Sequence, residues 1–388
     1  MDLLDRAHAG ALTRADACAL IEAEGVPLLE LMHAAASLRD AHKGRTVTYS
    51  RKVFVPLTTY CRDDCGYCTF KRDPGQPGAH TLSPEEVLAI VRRGQAQGCK
   101  EVLFSLGDKP ELRFPEAAAA LARFGHRTTA GYLAAMCRLV LEETGLLPHA
   151  NPGTLSRAEI RALHGHVGSM GIMLENLTPR LRARGMAHEH APDKAPGARV
   201  AVHRFAGELR VPFTTGLLIG IGETPAERVD TLLAIRDLHA RYGHIQEVIL
   251  QNFRAKPGIP MADWPDATLT DLLRAIAVAR LVLGGAMNIQ APPNLSPEAY
   301  PLLLLAGIND WGGVSPVTPD HINPEAPWPA IQRLAARSAE VGYTLRERLT
   351  IYPEYLTGDP AFVPPGVRDA AARLADAEGY AIPAEKLP

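Results

Sequence analysis

The chain has 388 residues, of which 46% are hydrophobic and 22% charged, and its formal net charge is −2. That profile fits a globular protein with a substantial core and leaves no basic surface that would make nucleic acid or an anionic membrane its main partner. Six cysteines, three of them within residues 61–68, are too few and too clustered for a disulfide framework.

The opening stretch MDLLDRAHAGALTRADAC has neither the basic start nor the apolar run of a secretory leader. No apolar run approaches the ~18 residues of a membrane span. A reduced, cytoplasmic protein is the expectation.

Residues 12–44 read as two helices, with Thr13 capping the first and VPLLELMHAAASLRDAHKG carrying the second to Gly44. The period then changes. Strand-like runs at 52–58, 101–107, 148–151, 169–175, 213–222, 246–253, 287–293 and 304–312 alternate with helical stretches. Those stretches fall at 84–97, 129–144, 156–165, 198–208, 225–242, 268–283, 296–304 and 328–342. Ser83-Pro84 and Thr224-Pro225, each followed by a glutamate, read as helix starts with proline at the first helical position.

Eight such units without a divider predict an α/β fold, a closed (βα)8 TIM-type barrel at 48–357. An N-terminal helical extension occupies 1–47 and a C-terminal extension 358–388. Barrel enzymes carry their chemistry at the carboxyl ends of the strands. Polar, glycine-rich clusters follow every predicted strand: TTYCRDDCGYC, GDKPE, NPG, EN, GET, NFRAKPG, PPN and NDWGG. An enzyme is expected.

CRDDCGYC, residues 61–68, carries the main signal. A structural zinc site takes four ligands as two close pairs, and no second pair exists; a redox CxxC of Cys65 and Cys68 leaves Cys61 unexplained. A four-iron, four-sulfur cluster on Cys61, Cys65 and Cys68 accounts for all three and leaves one iron open. Zinc or redox thiols are the competing readings. Tyr67 can pack on a flat heterocycle beside the cluster, while Cys18, Cys99 and Cys137 read as buried, inert thiols in helical segments.

CxxxCxxC with an aromatic before its last cysteine resembles the signature of the radical S-adenosylmethionine (SAM) superfamily. The resemblance implies that SAM chelates the open iron and that its reductive cleavage gives a 5′-deoxyadenosyl radical. It further implies SAM contacts at Gly107 and either Asp108 or Glu111, at Glu175, and at Gly220 and Gly222 within GLLIGIGET. Arg199, with Lys194 as its rival, would meet the SAM carboxylate.

LFSLGDKPE, LEETGLLPHANPG, RYGHIQEVILQNFRAKPGIPM and AGINDWGGVSPVTPDHINPEAPWP are similar to the 7,8-didemethyl-8-hydroxy-5-deazariboflavin synthase family, as its CofG subunit or the equivalent half of the fused two-domain form. Thr59-Tyr60 and His190 depart from that family's pattern. Membership implies deazaflavin ring closure in coenzyme F-420 biosynthesis. It also implies a companion subunit, CofH, that makes the substrate and a reduced flavodoxin or ferredoxin as electron donor.

Substrate contacts are expected from Asn252, Arg254, Gln290, Asn309, Asp310 and Trp311, with Trp311 either stacking on substrate or plugging the barrel. His188 is the candidate proton carrier, and Asp193 with Lys194 can equally be a surface ion pair.

Overall fold

The computed structural model describes residues 6, 7 and 12–383. One parallel sheet contains β1 (Thr46–Thr58), β2 (Glu101–Leu106), β3 (Leu147–Asn151), β4 (Ser169–Gly171), β5 (Phe213–Ile219), β6 (Ile245–Asn252), β7 (Ile289–Gln290), β8 (Asp310–Val314) and β9 (Thr344–Glu347). Pairing of β1 with both β2 and β8 closes the first eight into a barrel. Helices fill the connections, as the alternating pattern predicts.

Alternation along β1 separates the two faces. Val53, Val55 and Leu57 turn outward into a cluster with Val87 and Val91 of the helix Pro84–Ala96, while Lys52 and Phe54 face the barrel interior. Helices begin where the capping pattern says they should. Thr13, Ser83, Ser156 and Thr224 each close a capping box with a carboxylate three residues on, a device worth about 1 kcal/mol apiece. The N-terminal helix Gly25–Lys43 lays Leu28, Leu31 and Leu38 into the core cluster that includes Leu272 and Ile276.

Two expectations about the strands are corrected. β4 ends at Gly171, and the chain rejoins the sheet only at a bridge between Glu175 and Leu217. More important, the predicted eighth strand was placed too early. Tyr300–Leu305 is a helix, and β8 starts at Asp310, so Asn309, Asp310 and Trp311 lie at the amino end of the barrel. The leucine run 302–305 fits either element, and only the closure of the ring decides between them.

The amino end is sealed by a segment no periodicity announced. After β9, Arg348 is buried and donates to Asp310 Oδ2 at 2.6 Å, Asp310 Oδ1 at 2.9 Å and Glu247 Oε1 at 3.0 Å. Next to it, the Thr350 carbonyl accepts from Gln246 Nε2 at 2.9 Å and from Ser169 Oγ at 3.1 Å. Leu349, Ile351 and Tyr352 then form a satellite core with Leu147, Val363 and Val367. Residues 360–372 thereby pack under the barrel floor.

Four histidines are buried as neutral imidazoles. Burial pushes His149, His188 and His244 down to about 3 and His203 to about 4. On unfolding each returns to about 6.5. Between about pH 4 and 6.5 the unfolded chain therefore binds more protons, so stability falls as pH falls through this window. Burial pushes the Asp63, Asp108 and Glu247 carboxyls up, which opposes the trend, while His164, His166, His239 and His321 are pushed down and add to it. The melting temperature should decline steadily from pH 7 to pH 5. A flat profile over that range contradicts the neutral burial.

Candidate active site at the carboxyl end of the barrel

The loop leaving β1 brings Cys61, Cys65 and Cys68 to the wall of a cavity of about 340 Å³ in the barrel mouth, a size suited to small molecules. Neighbouring loops hold it by backbone bonds. Arg62 N–H donates to Asp108 O at 3.1 Å, Asp64 N–H to His190 O at 2.9 Å and Gly66 N–H to Ala187 O at 2.8 Å. From the loop after β6, Met261 N–H donates to Gly66 O at 3.0 Å. Gly107 is required here by close approach: a Cβ would stand 1.9 Å from the Tyr60 carbonyl oxygen.

Two observations test what the thiols fit. Burial pushes the Cys61 thiol up to about 12 and the Cys65 thiol well above its ordinary value, so thiolates are tenable here only with a cation that takes up their charge. Ligands of one tetrahedral zinc ion lie about 3.8 Å apart, from Zn–S bonds near 2.3 Å. Among the described residues, the only His, Cys, Asp or Glu group with ligand atoms all within 4.8 Å of one another is Asp63, Asp108 and Asp193. The three sulfurs are not such a group, so they do not stand as the ligands of one zinc would. Backbone N–H groups of Asp63 and Asp108 point at Cys61 Sγ, at 3.4 and 3.2 Å, as donors to a charged sulfur.

Beside the cysteines stands a buried charge network. Glu175 accepts from Lys194 Nζ at 3.0 Å, and Arg199 donates to Asp193 Oδ2 at 2.9 Å and to the Met173 carbonyl at 2.8 Å. Burial opposes ionisation of Glu175, but Lys194 and Arg199 outweigh it and hold its carboxyl below the usual range. Asp193 ionises for the same reason, while burial and the Asp193 charge keep Asp63 protonated. Glu175 also has φ 58°, a left-handed backbone that costs a non-glycine residue about 1 kcal/mol or more and aims its side chain at the mouth. Asp193 and Lys194 are thus no surface pair, because Asp193 is buried and the Lys194 side chain is 10% exposed, its Nζ on Glu175.

The open choices resolve by position. Asp108 lines the mouth, whereas Glu111 accepts from Thr129 N at 3.0 Å and Thr129 Oγ1 at 2.6 Å, capping a helix. Tyr67 lines the mouth and its hydroxyl meets His188 Nε2 at 3.1 Å. His188 sits behind that ring, held neutral by burial, so it orients Tyr67 and is misplaced for shuttling protons to a ligand. Gly220 and Gly222 adopt φ 95° and 101° in a turn whose N–H groups at 220 and 221 donate to Glu223, both at 2.9 Å. Both glycines back onto the loop 261–267, and it is Leu218 before them that reaches the cavity.

Of the substrate candidates, Gln290 lines the cavity. Asn252 does not: alternation along β6 turns Glu247, Ile249 and Gln251 inward and Asn252 away. Arg254 is half exposed, pairing with Asp266 at 3.1 Å and donating to Leu295 O at 2.9 Å. The shift of β8 removes the other three. Asn309 accepts from Arg280 at 2.8 Å, Asp310 binds Arg348, and Trp311 is fully buried against Tyr300 with its Nε1 on Ser338 at 3.3 Å.

In their place the loop after β8 supplies Asp320, Ile322, Asn323 and Trp328, and the inward strand positions supply Lys52, Glu101, His149 and Gln251. Inward parity on correctly bounded strands was the signal for the latter group. Cys137 is buried in the helix Thr129–Thr144; Cys99 is buried but in the turn before β2, and Cys18 is only half-buried.

The model of the radical SAM superfamily matches residues 55–235. A 7,8-didemethyl-8-hydroxy-5-deazariboflavin synthase of Methanopyrus kandleri is 53% identical over 335 residues, covering 86% of this chain and 99% of that one. The chain belongs to the 7,8-didemethyl-8-hydroxy-5-deazariboflavin synthase family. FO synthase of Mycobacterium tuberculosis is 50% identical across 96% of this chain, but the match spans only 46% of that longer protein.

Among solved structures, methylornithine synthase (PylB) aligns with TM-score 0.68 at 21% identity, over 89% of this chain and 97% of that one. The FeFe-hydrogenase maturase HydG from Carboxydothermus hydrogenoformans aligns with TM-score 0.70 at 17% identity, over 91% and 82%. These two support the barrel fold of the deazariboflavin synthase family and nothing finer. No helix among the described residues is long and apolar enough to cross a membrane.

Proposed function

We propose that this chain closes the deazaflavin ring, converting 5-amino-5-(4-hydroxybenzyl)-6-(D-ribitylimino)uracil to 7,8-didemethyl-8-hydroxy-5-deazariboflavin with release of ammonia, 5′-deoxyadenosine and methionine. The observation that carries this reading is the near-complete span of the M. kandleri relative, together with three cysteines facing one cavity. Cys61, Cys65 and Cys68 would hold the cluster, with Asp108, Glu175, Arg199 and Lys194 around SAM and Tyr67 against it. When bound, cluster and SAM supply a 5′-deoxyadenosyl radical that abstracts hydrogen from the substrate.

The protein's own part is to bind, orient and shield. Ionised Glu175 and Asp193 suit an ammonium, Arg199 and Lys194 a carboxylate, and the sealed floor keeps solvent from entering behind the ligands. The longer FO synthase relatives, half of which lies outside the match, support a companion radical SAM subunit, CofH, as the source of the substrate. A reduced flavodoxin or ferredoxin in the cytoplasm would supply the electron.

The test is anaerobic reconstitution followed by dithionite, SAM and the hydroxybenzyl–ribityliminouracil adduct. Deazaflavin fluorescence should appear together with 5′-deoxyadenosine. SAM cleavage without a fluorophore would leave the superfamily standing and remove this reaction.

A further inference from the structure

Midway down the barrel two buried side chains face the cavity with hydrogen-bonding capacity left over. Gln290 on β7 is 4% exposed and its Oε1 has no partner. Its Nε2 makes one long donation, 3.4 Å to the Trp311 carbonyl, which leaves a second N–H free. Opposite, on β3, His149 is 7% exposed and its Nδ1 lies 2.7 Å from Ser169 Oγ. The Ser169 hydroxyl also meets Thr350 Oγ1 at 2.6 Å and the Thr350 carbonyl at 3.1 Å, so Nδ1 is spent on this buried network. Nε2 is the ring nitrogen left over. Among the described residues it has no partner, and it lies against Gly171 on the cavity wall.

The wall is cut away to give these groups room. A Cβ at Gly312 would stand 2.2 Å from Gln290 Nε2, and one at Gly171 would lie 3.2 Å from His149 Nε2. Gly312, the first glycine of the NDWGG stretch, also has φ 70°, so its backbone favours glycine independently of this room. Lys52, a cation on the same wall, is committed to Glu101. Between Gln290 and His149 the unspent capacity is one amide acceptor, one amide donor and one imidazole nitrogen, all neutral. An uncharged ring with alternating N–H and C=O groups would satisfy them.

We infer that Gln290 and His149 form a recognition site for a cyclic ureide, the –CO–NH–CO– edge of a pyrimidinedione. The Gln290 carboxamide, an acceptor and a donor side by side, pairs with a –CO–NH– unit of the ring, and His149 Nε2 pairs with a further polar group on the ring edge. This deepens the proposed function and rests on it, since a deazariboflavin contains such a ring. The ring end of the substrate then lies deep in the barrel, and its reacting end lies toward the cysteines. Burial supports the neutral partner by holding the His149 imidazole at about 3.

The experiment is anaerobic calorimetry on the cluster-loaded protein, with the hydroxybenzyl–ribityliminouracil adduct and its N3-methylated counterpart as probes. The unmodified protein should bind the adduct at least about tenfold more tightly than the methylated form, the effect of one buried group left unpaired. Gln290→Met, close in shape but without the amide, should lose at least about tenfold in affinity and most of that discrimination, and His149→Phe should weaken the adduct by a similar factor. Equal binding of both probes by the unmodified protein, which needs no variant to fold, overturns the inference while leaving the proposed function intact. So does a Gln290→Met protein that melts normally and still discriminates. If the unmodified protein binds neither probe, inference and proposed function fall together.

Discussion

Alanine in place of any one of Cys61, Cys65 or Cys68 should yield a folded protein that retains no intact four-iron cluster and reduces SAM cleavage to background. Each thiol faces the same cavity, and two ligands cannot hold what three do. Iron and sulfide counts on anaerobically reconstituted protein, with 5′-deoxyadenosine measured by chromatography, check both halves of the expectation. Serine at Cys18, Cys99 or Cys137 should keep the cluster, with a packing loss of about 1–3 kcal/mol where the thiol is buried. A variant at position 61, 65 or 68 with full iron and turnover would show that the ligands have been misassigned.

The second large effect is on stability. Arg348→Met removes the only guanidinium bonded to both Asp310 and Glu247 among the described residues, leaving two buried carboxylates without their counter-charge. Breaking a buried pair in this way costs about 3–5 kcal/mol, far more than the pair itself contributes over a neutral replacement. Denaturant or thermal unfolding should show the loss. Adding Asp310→Asn and Glu247→Gln should restore part of it, because the cost is the uncompensated charge and not the missing contact. If the triple variant is no more stable than Arg348→Met alone, the charge account is wrong and packing on Tyr352, 4.0 Å from the guanidinium, carries the effect.

Much of the fold was legible because local and global signals agree along most of the chain. The capping box at Thr224 follows closely on β5, that at Ser83 opens the first barrel helix, and the octet around Cys65 follows a strand whose register is fixed by its neighbours. What was misread has a common cause. The leucines at 302–305 suit helix or strand equally, so the eighth strand slid about six residues, and Asn309, Asp310 and Trp311 went to the wrong end of the barrel. Asn252 was lost to a single step of parity, which in a strand is the difference between the two faces.

Asp193 and Lys194 read equally as a surface pair, and only tertiary packing sets them beside Glu175 and Arg199. The ureide-facing pair could not be seen as a pair at all. Gln290 and His149 stand on β7 and β3, and the closed ring is what makes them face each other.

The plug built by Arg348 and Thr350 has a kinetic consequence. A tube stoppered at one end offers a single doorway, and on the proposed reading the nucleotide cofactor docks nearer that doorway than the molecule it attacks. Loading should then be compulsory in sequence, deep occupant first, with the spent cofactor fragments leaving before the newly made chromophore can get out.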